Sequence, residues 1–301
     1  MNKKGYILEN DWWKLEIQHN GNNNYSYKLI SKGKNITYTD QDYHYHLFIS
    51  SKKELPLVWI DLIGGESGAE KLISRKIQNV GENLIVIEGN FSNSEIILKQ
   101  EFKLEKESRW LEEKITLTNQ GTKKVRLVAI NLGFKKEFFK QHEGWVNHLD
   151  EFQLTAIPTR RFHEQTIDRR LLSFSANDLI YAPWFNRKET EMPGFCSEGW
   201  LWGNSKGGIL ICKYNPTQLE FSRFSRFPKL MDGRGNENIS LIFGGAFFCQ
   251  GNPELATELN PDQSYTFGIS KYTIYEGDYR NGYYLYRDHL KERGHEFSKK
   301  L

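Results

Sequence analysis

Five consecutive segments, residues 71–78, 84–89, 94–104, 110–119 and 124–134, read as strands separated by only a few residues each. The separators carry turn formers: Asn79-Val-Gly-Glu-Asn83, Gly89-Asn-Phe-Ser-Asn93, Glu107-Ser-Arg109 and Asn119-Gln-Gly-Thr122. Connections this short join antiparallel neighbours, because a parallel crossover needs a dozen residues or more. In Leu111-Glu-Glu-Lys-Ile-Thr-Leu-Thr-Asn119 apolar side chains recur every second residue, as in a half-buried strand. Leu and Ile are expected to face a core there, and Glu, Lys and Thr to face water.

The same pattern extends to both sides. Residues 12–17, 25–30, 36–39, 43–50 and 57–63 precede the meander, and 208–214, 219–224, 239–248 and 264–275 follow it. Asn20-Gly-Asn-Asn-Asn24 and Asn260-Pro-Asp-Gln263 are turn clusters, since Asn and Gly tolerate positive φ and Pro presets it at a turn's second position. About twelve or more strands exceed an immunoglobulin-sized sandwich of about 100 residues. The expected fold is all-β: one large two-sheet antiparallel β-sandwich over residues 1–276, with a C-terminal helix and linker over 277–301.

That helix has its own signals. Asp278 or Asn281 can cap its start, where a short side-chain oxygen accepts from an orphan amide. Tyr283, Tyr286 and Leu290 fall at helical spacing and are expected to form its apolar stripe. Lys291 and Arg293 suit the negative end of the dipole, and Gly294 can take the left-handed conformation that closes a helix.

Composition narrows the functional classes. With 38% hydrophobic and 14% aromatic residues the chain can build a real core, and its formal charge of +3 gives no phosphate-tracking stripe. Nucleic acid is not an expected partner. The basic opening lacks the apolar run of a signal peptide, and no stretch approaches the roughly 20 apolar residues of a membrane span. Cys196, Cys212 and Cys249 are odd in number and widely spaced, which fits thiols in a reducing compartment. A cytoplasmic location without membrane partners is expected. Neither a dinucleotide fingerprint nor a P-loop occurs, so no cofactor is expected.

Regularity fails between residues 135 and 204, a region rich in Trp, His and Arg. A sugar ring presents apolar C–H faces and a polar rim, so its sites combine flat aromatics with amide or charged partners. Pro183-Trp-Phe-Asn-Arg187 and Glu198-Gly-Trp-Leu-Trp-Gly-Asn204 hold both ingredients. The candidate sugar contacts are Trp145, Trp184, Arg187, Trp200, Trp202 and Asn204. Trp200 and Trp202 share one face of an extended segment, where indoles plugging the sandwich are the commoner outcome. His44 and His46 likewise share a face and could meet a metal, but no third ligand is near in sequence, and no metal site is assigned. His148 or His163 with Glu258 could serve as an acid–base pair on a sugar hydroxyl.

The segment Leu259-Asn-Pro-Asp-Gln-Ser-Tyr265, the strand after it, and Tyr286-Arg-Asp-His-Leu-Lys-Glu-Arg-Gly-His295 resemble a known pattern. They are similar to the final strands and exit helix of the amino-terminal β-supersandwich of α-galactosidase-like (melibiase-type) retaining glycoside hydrolases. That sandwich has a galactose mutarotase-like fold and precedes a catalytic (β/α)₈ barrel. The resemblance implies a non-catalytic sandwich of a carbohydrate-active enzyme, packing on a barrel absent from this chain and helping to shape a galactoside-like sugar site. It leaves a homo-oligomer open. It implies no catalytic residue here: Lys213-Tyr214-Asn215 lacks the acid of the family's nucleophile motif. Two other readings stand beside it, an autonomous aldose 1-epimerase-like or lyase enzyme with a His/Glu pair, and a freestanding carbohydrate-binding or structural sandwich.

Overall fold

Alternation becomes ladder wherever two such segments meet. The computed structural model describes residues 5–50, 70–141, 144–146, 153–157, 173–175, 194–197, 199–215, 222–229, 237–244 and 257–296. A first sheet forms from β1 (Gly5–Glu9), β2 (Trp13–Gly21), β3 (Asn24–Ser31) and β4 (Ile36–Thr39), paired in that order. Asn22 and Asn23 turn β2 into β3 with positive φ, as the Asn-rich cluster predicts.

The meander follows as β5 (His44–Ser50), β6 (Glu70–Val80), β7 (Leu84–Phe91), β8 (Ile96–Leu104), β9 (Leu111–Asn119) and β10 (Val125–Gln141). The remaining strands are β11 (Gly144–Val146), β12 (Gln153–Ile157), β13 (Ser173–Ser175), β14 (Gly194–Ser197), β15 (Gly199–Asn204), β16 (Gly207–Tyr214), β17 (Ser222–Lys229), β18 (Glu237–Gly244), β19 (Thr257–Leu259), β20 (Ser264–Thr266) and β21 (Ile269–Glu276). The chain then enters α1 (Tyr279–Glu292). Every described pairing is antiparallel, and between sequence neighbours hairpin-length connections require it.

One long sheet runs β6-β7-β8-β9-β21-β16-β15-β12. Against it lies a second sheet in which β10 pairs with β5 along its first half and with β18 along its second. Aromatic rings fill the gap. Phe134 of β10 stands 5.5 Å from Phe102 of β8, 5.4 Å from Tyr272 of β21 and 5.7 Å from Phe243 of β18. The first sheet covers the rest of this core through Trp13, Tyr27 and Tyr38, all buried. Each such side chain removed from water contributes about 1.5–3 kcal/mol.

The long sheet is covered on its other face too, by α1. Leu201, Leu210, Cys212 and Tyr275 point to that side, where Tyr279, Tyr283, Leu285 and Tyr286 of the helix pack on them. Asp278 is the N-cap, accepting from the Arg280 amide at 2.8 Å, whereas Asn281 instead donates to the Glu276 carbonyl. Gly294 closes the helix with φ +84°. The buried stripe differs from expectation in one place: His289 is buried and Leu290 only half, with the His289 ring tilted against Trp110 at a centroid distance of 5.1 Å. Burial pushes its imidazole down to about 4, with the Lys271 and Arg293 charges adding to the effect.

A second departure is in β9. Glu113 is in phase with Leu111, Ile115 and Leu117, and it faces the core. Its carboxylate accepts from Tyr43 Oη, from Gln100 Nε2 at 2.5 Å and from Tyr272 Oη at 2.6 Å. Burial raises its pKa, and these three donors pull against that rise. Tyr45 donates to Gln100 Oε1 at 2.5 Å and lies 3.1 Å from Tyr27 Oη, so one hydrogen-bonded chain threads the aromatic core. Cys212 is a buried free thiol, pushed up to about 12 by burial, while Cys249 lies outside the described residues.

Candidate functional site

The hairpin between β15 and β16 builds a groove of about 560 Å³ lined by Thr155, Asn204, Lys206, Tyr275, Asp278 and Tyr279 among others. Its floor is backbone. A Cβ on Gly203 would stand 2.4 Å from the Gly207 carbonyl and 2.7 Å from Tyr275 Oη, and one on Gly208 would stand 2.6 Å from the same phenol. Two glycines therefore let Tyr275 lie against the hairpin. Asn204 Oδ1 accepts from the Lys206 amide at 2.9 Å, and Gly207 completes the turn at φ +135°, where a side chain would be strained.

The far wall is the start of α1, where Asp278 and the half-exposed Tyr279 follow β21 directly. A groove of this volume is in the usual range for small-molecule sites. It offers an aromatic ring, an amide, a carboxylate and an ammonium together, which is the set that a sugar's apolar face and hydroxyl rim require. Burial raises the Tyr275 phenol, so it remains a neutral hydroxyl.

Of the six residues that the sequence singles out as sugar contacts, Asn204 lines this groove. Trp200 and Trp202 lie in the core at 1% and 3% exposure, with Trp202 5.7 Å from Tyr38 and 5.4 Å from Phe243. They plug the sandwich because the first sheet and β18 cover the face to which they point. Trp145 lies in β11 opposite Lys140, and Trp184 and Arg187 lie outside the described residues. Tyr275 and Tyr279 carry no sequence signal of a site, and Asp278 signals only a helix cap. The neighbouring signal is the Gly203-Asn-Ser-Lys-Gly-Gly208 turn, whose paired glycines mark a close approach of another group.

The other candidate chemistry resolves as follows. Glu258 is exposed and held by Lys124 Nζ at 2.8 Å and Arg126 Nε at 2.7 Å, bonds that lower its pKa and mark it as a surface ion pair. His148 and His163 lie outside the described residues. The rings of His44 and His46 do share a face, with centroids 3.8 Å apart. No group of three or more His, Cys, Asp or Glu side chains suited to a metal ion occurs among the described residues. Lys213 is buried and donates to the Gly268 carbonyl at 2.8 Å. Among the described residues no helix is long and apolar enough to cross a membrane.

No family model and no curated protein matches the sequence. Solved structures share its fold. A putative aldose 1-epimerase from Escherichia coli K12 aligns with a TM-score of 0.52 at 10% identity, over 91% of this chain and 100% of the other. A galactose mutarotase related enzyme from Lactobacillus acidophilus gives 0.49 at 12% identity, with the same coverage. The GH36 α-galactosidase AgaA from Geobacillus stearothermophilus gives 0.47 at 7% identity, over 92% of this chain and 41% of that one. The fold is the galactose mutarotase-like sandwich to which the C-terminal motifs point.

Proposed function

We propose that this chain is the non-catalytic sandwich of an α-galactosidase-like glycoside hydrolase, which docks on a catalytic (β/α)₈ barrel and lends the groove at Asn204 to the wall of a sugar site. The carrying observation is how residues 259–295 fold. The segment that bears the family-like motifs zips onto β9, passes through the long sheet as β21 and becomes a capped helix on that sheet's outer face. The helix keeps one side on the sandwich and leaves another bare, with Tyr284 at 52% exposure beneath the Arg287 guanidinium. The groove opens beside the helix start, where the chain leaves the sheet, and that position suits a wall shared with a following domain.

The 301-residue chain should neither hydrolyse nitrophenyl α-galactoside nor speed the optical mutarotation of fresh α-D-galactose. The reading frame after the Leu301 codon should encode alternating strands and helices. Rapid hydrolysis by this chain alone, or a stop codon directly after Leu301, would overturn the proposal.

A second reading, a free aldose 1-epimerase, is favoured by the overlap with the whole length of the Escherichia coli protein. The polarimeter separates the two, because an epimerase accelerates the approach to anomeric equilibrium.

A further inference from the structure

The polar groups of the groove beside Asn204 differ in what the fold already asks of them. Asn204 Oδ1 accepts from the Lys206 amide, and Asp278 Oδ1 accepts from the Arg280 amide as the cap of α1. Thr155 of β12 is buried and has a partner of its own. Tyr275 is different. Its side chain is 2% exposed and lines the groove, yet its hydroxyl makes no hydrogen bond to any described residue.

The ladder fixes where that hydroxyl stands. Tyr275 is registered with Gly208 of β16, and Gly208 with Gly203 of β15. A side chain on either glycine would collide with Tyr275 Oη, so the pair leaves a slot that holds the phenol in one position. Tyr38 of β4 approaches from the first sheet, with its ring 5.7 Å from Trp202. Its hydroxyl is buried without a hydrogen-bond partner among the described residues. Burial raises the Tyr38 phenol and the charge of Tyr275 adds to the rise, so the two lie near one another, but they share no hydrogen bond. Towards the protein, Tyr275 Oη therefore finds nothing to bond among the described residues.

A phenol packed this way gains its stability from the ring. Its hydroxyl contributes no internal hydrogen bond, and taking it partly out of water has a cost. Its use lies on the groove side, where one hydroxyl can both donate and accept, as a sugar hydroxyl does. Because the two glycines hold it in place, little order is lost when a ligand meets it. We propose, resting on the reading of this groove as a sugar site, that the Tyr275 hydroxyl is its specificity-determining contact. It bonds one hydroxyl of the glycoside while Tyr279 covers the ring's apolar face. A site built around one hydroxyl rejects the analogue that lacks it, because the protein's own polar group is then left unpaired.

The test is NMR titration of wild type, Tyr275→Phe and Tyr38→Phe with methyl α-galactoside and with each of its monodeoxy analogues. Tyr275→Phe should bind the parent glycoside about tenfold more weakly. It should melt within about 2 °C of wild type, because the lost hydroxyl bonds nothing in the fold. With the analogue that lacks the partner hydroxyl, wild type and Tyr275→Phe should agree within about twofold, while the other analogues keep the gap. Tyr38→Phe should bind every ligand as wild type does. Equal affinity of wild type and Tyr275→Phe for the parent, or a gap that persists across all the analogues, would overturn the proposal and leave the groove a sugar site. Failure of wild type to bind methyl α-galactoside at all would overturn the sugar-site reading itself, and this inference with it.

Discussion

The Tyr272 hydroxyl donates to the Glu113 carboxylate at 2.6 Å, with both side chains almost wholly out of water. A carboxylate sealed in a core persists only if its lone pairs are met, and Tyr43 and Gln100 supply the other donors. The sandwich is thereby tied across β9, β21, β8 and the approach to β5.

Tyr272→Phe should cost about 1–3 kcal/mol, because it leaves a buried acceptor unmet. Glu113→Gln should cost about 3–5 kcal/mol, since an NH₂ group then faces donors. Urea unfolding of both variants measures this. A loss below about 1 kcal/mol for Glu113→Gln would show that the network contributes little.

Acid should weaken the helix's hold on the sheet through His289. Its folded pKa of about 4 lies below the unfolded value of about 6.5, so the unfolded chain binds the proton first. The contribution is complete above about pH 6.5 and disappears as pH falls towards 4. Glu113, raised by burial, runs in the opposite sense. His289→Gln should therefore flatten the acid limb of the stability curve by roughly 1–2 kcal/mol after solvent screening. Denaturation at pH 7 and pH 5 on both proteins checks it, and an unchanged slope would contradict it.

Backbone crowding at the groove predicts a sharp contrast between glycines. Gly203→Ala would press a methyl against the Gly207 carbonyl and Tyr275, and should cost about 2–4 kcal/mol. Gly33→Ala meets nothing within 4 Å and should be neutral, or stabilising by up to about 1 kcal/mol. Thermal melts of the two single variants decide this.

Tryptophan and tyrosine should separate in their effects. Trp200→Ala should cost about 3–5 kcal/mol, as expected for emptying a core site. Tyr279→Ala should leave most stability in place while reducing binding of methyl α-galactoside about tenfold, by removing the aromatic wall. Equal affinity in wild type and Tyr279→Ala would remove the groove from consideration as a sugar site.

Much of the fold was legible because its signals are local. Hairpin spacing, the Asn-rich turns, the Asn260–Gln263 turn and the Asp278 and Gly294 caps each depend on neighbours a few residues away. The candidate site was less legible. Asn204 shows itself as a turn residue, but Tyr275 and Asp278 join it only because β21 pairs with β16. Glu113 could have been noticed as a charge in phase with an apolar face. Its three donors come from β8, β21 and the segment before β5, separations that no local pattern records.

The sequence by itself determined that this chain makes antiparallel strands with a capped helix at its end, because periodicity and turn chemistry act over a few bonds. The tertiary structure alone decided which faces are covered. It buried Trp200 and Trp202 beneath the first sheet, enclosed Glu113 among phenols and gathered lysine, arginine and histidine from three strands around one cavity. The physical reason is that burial and hydrogen-bond partnership belong to groups brought together across the sheets, and neither is a property of any single strand.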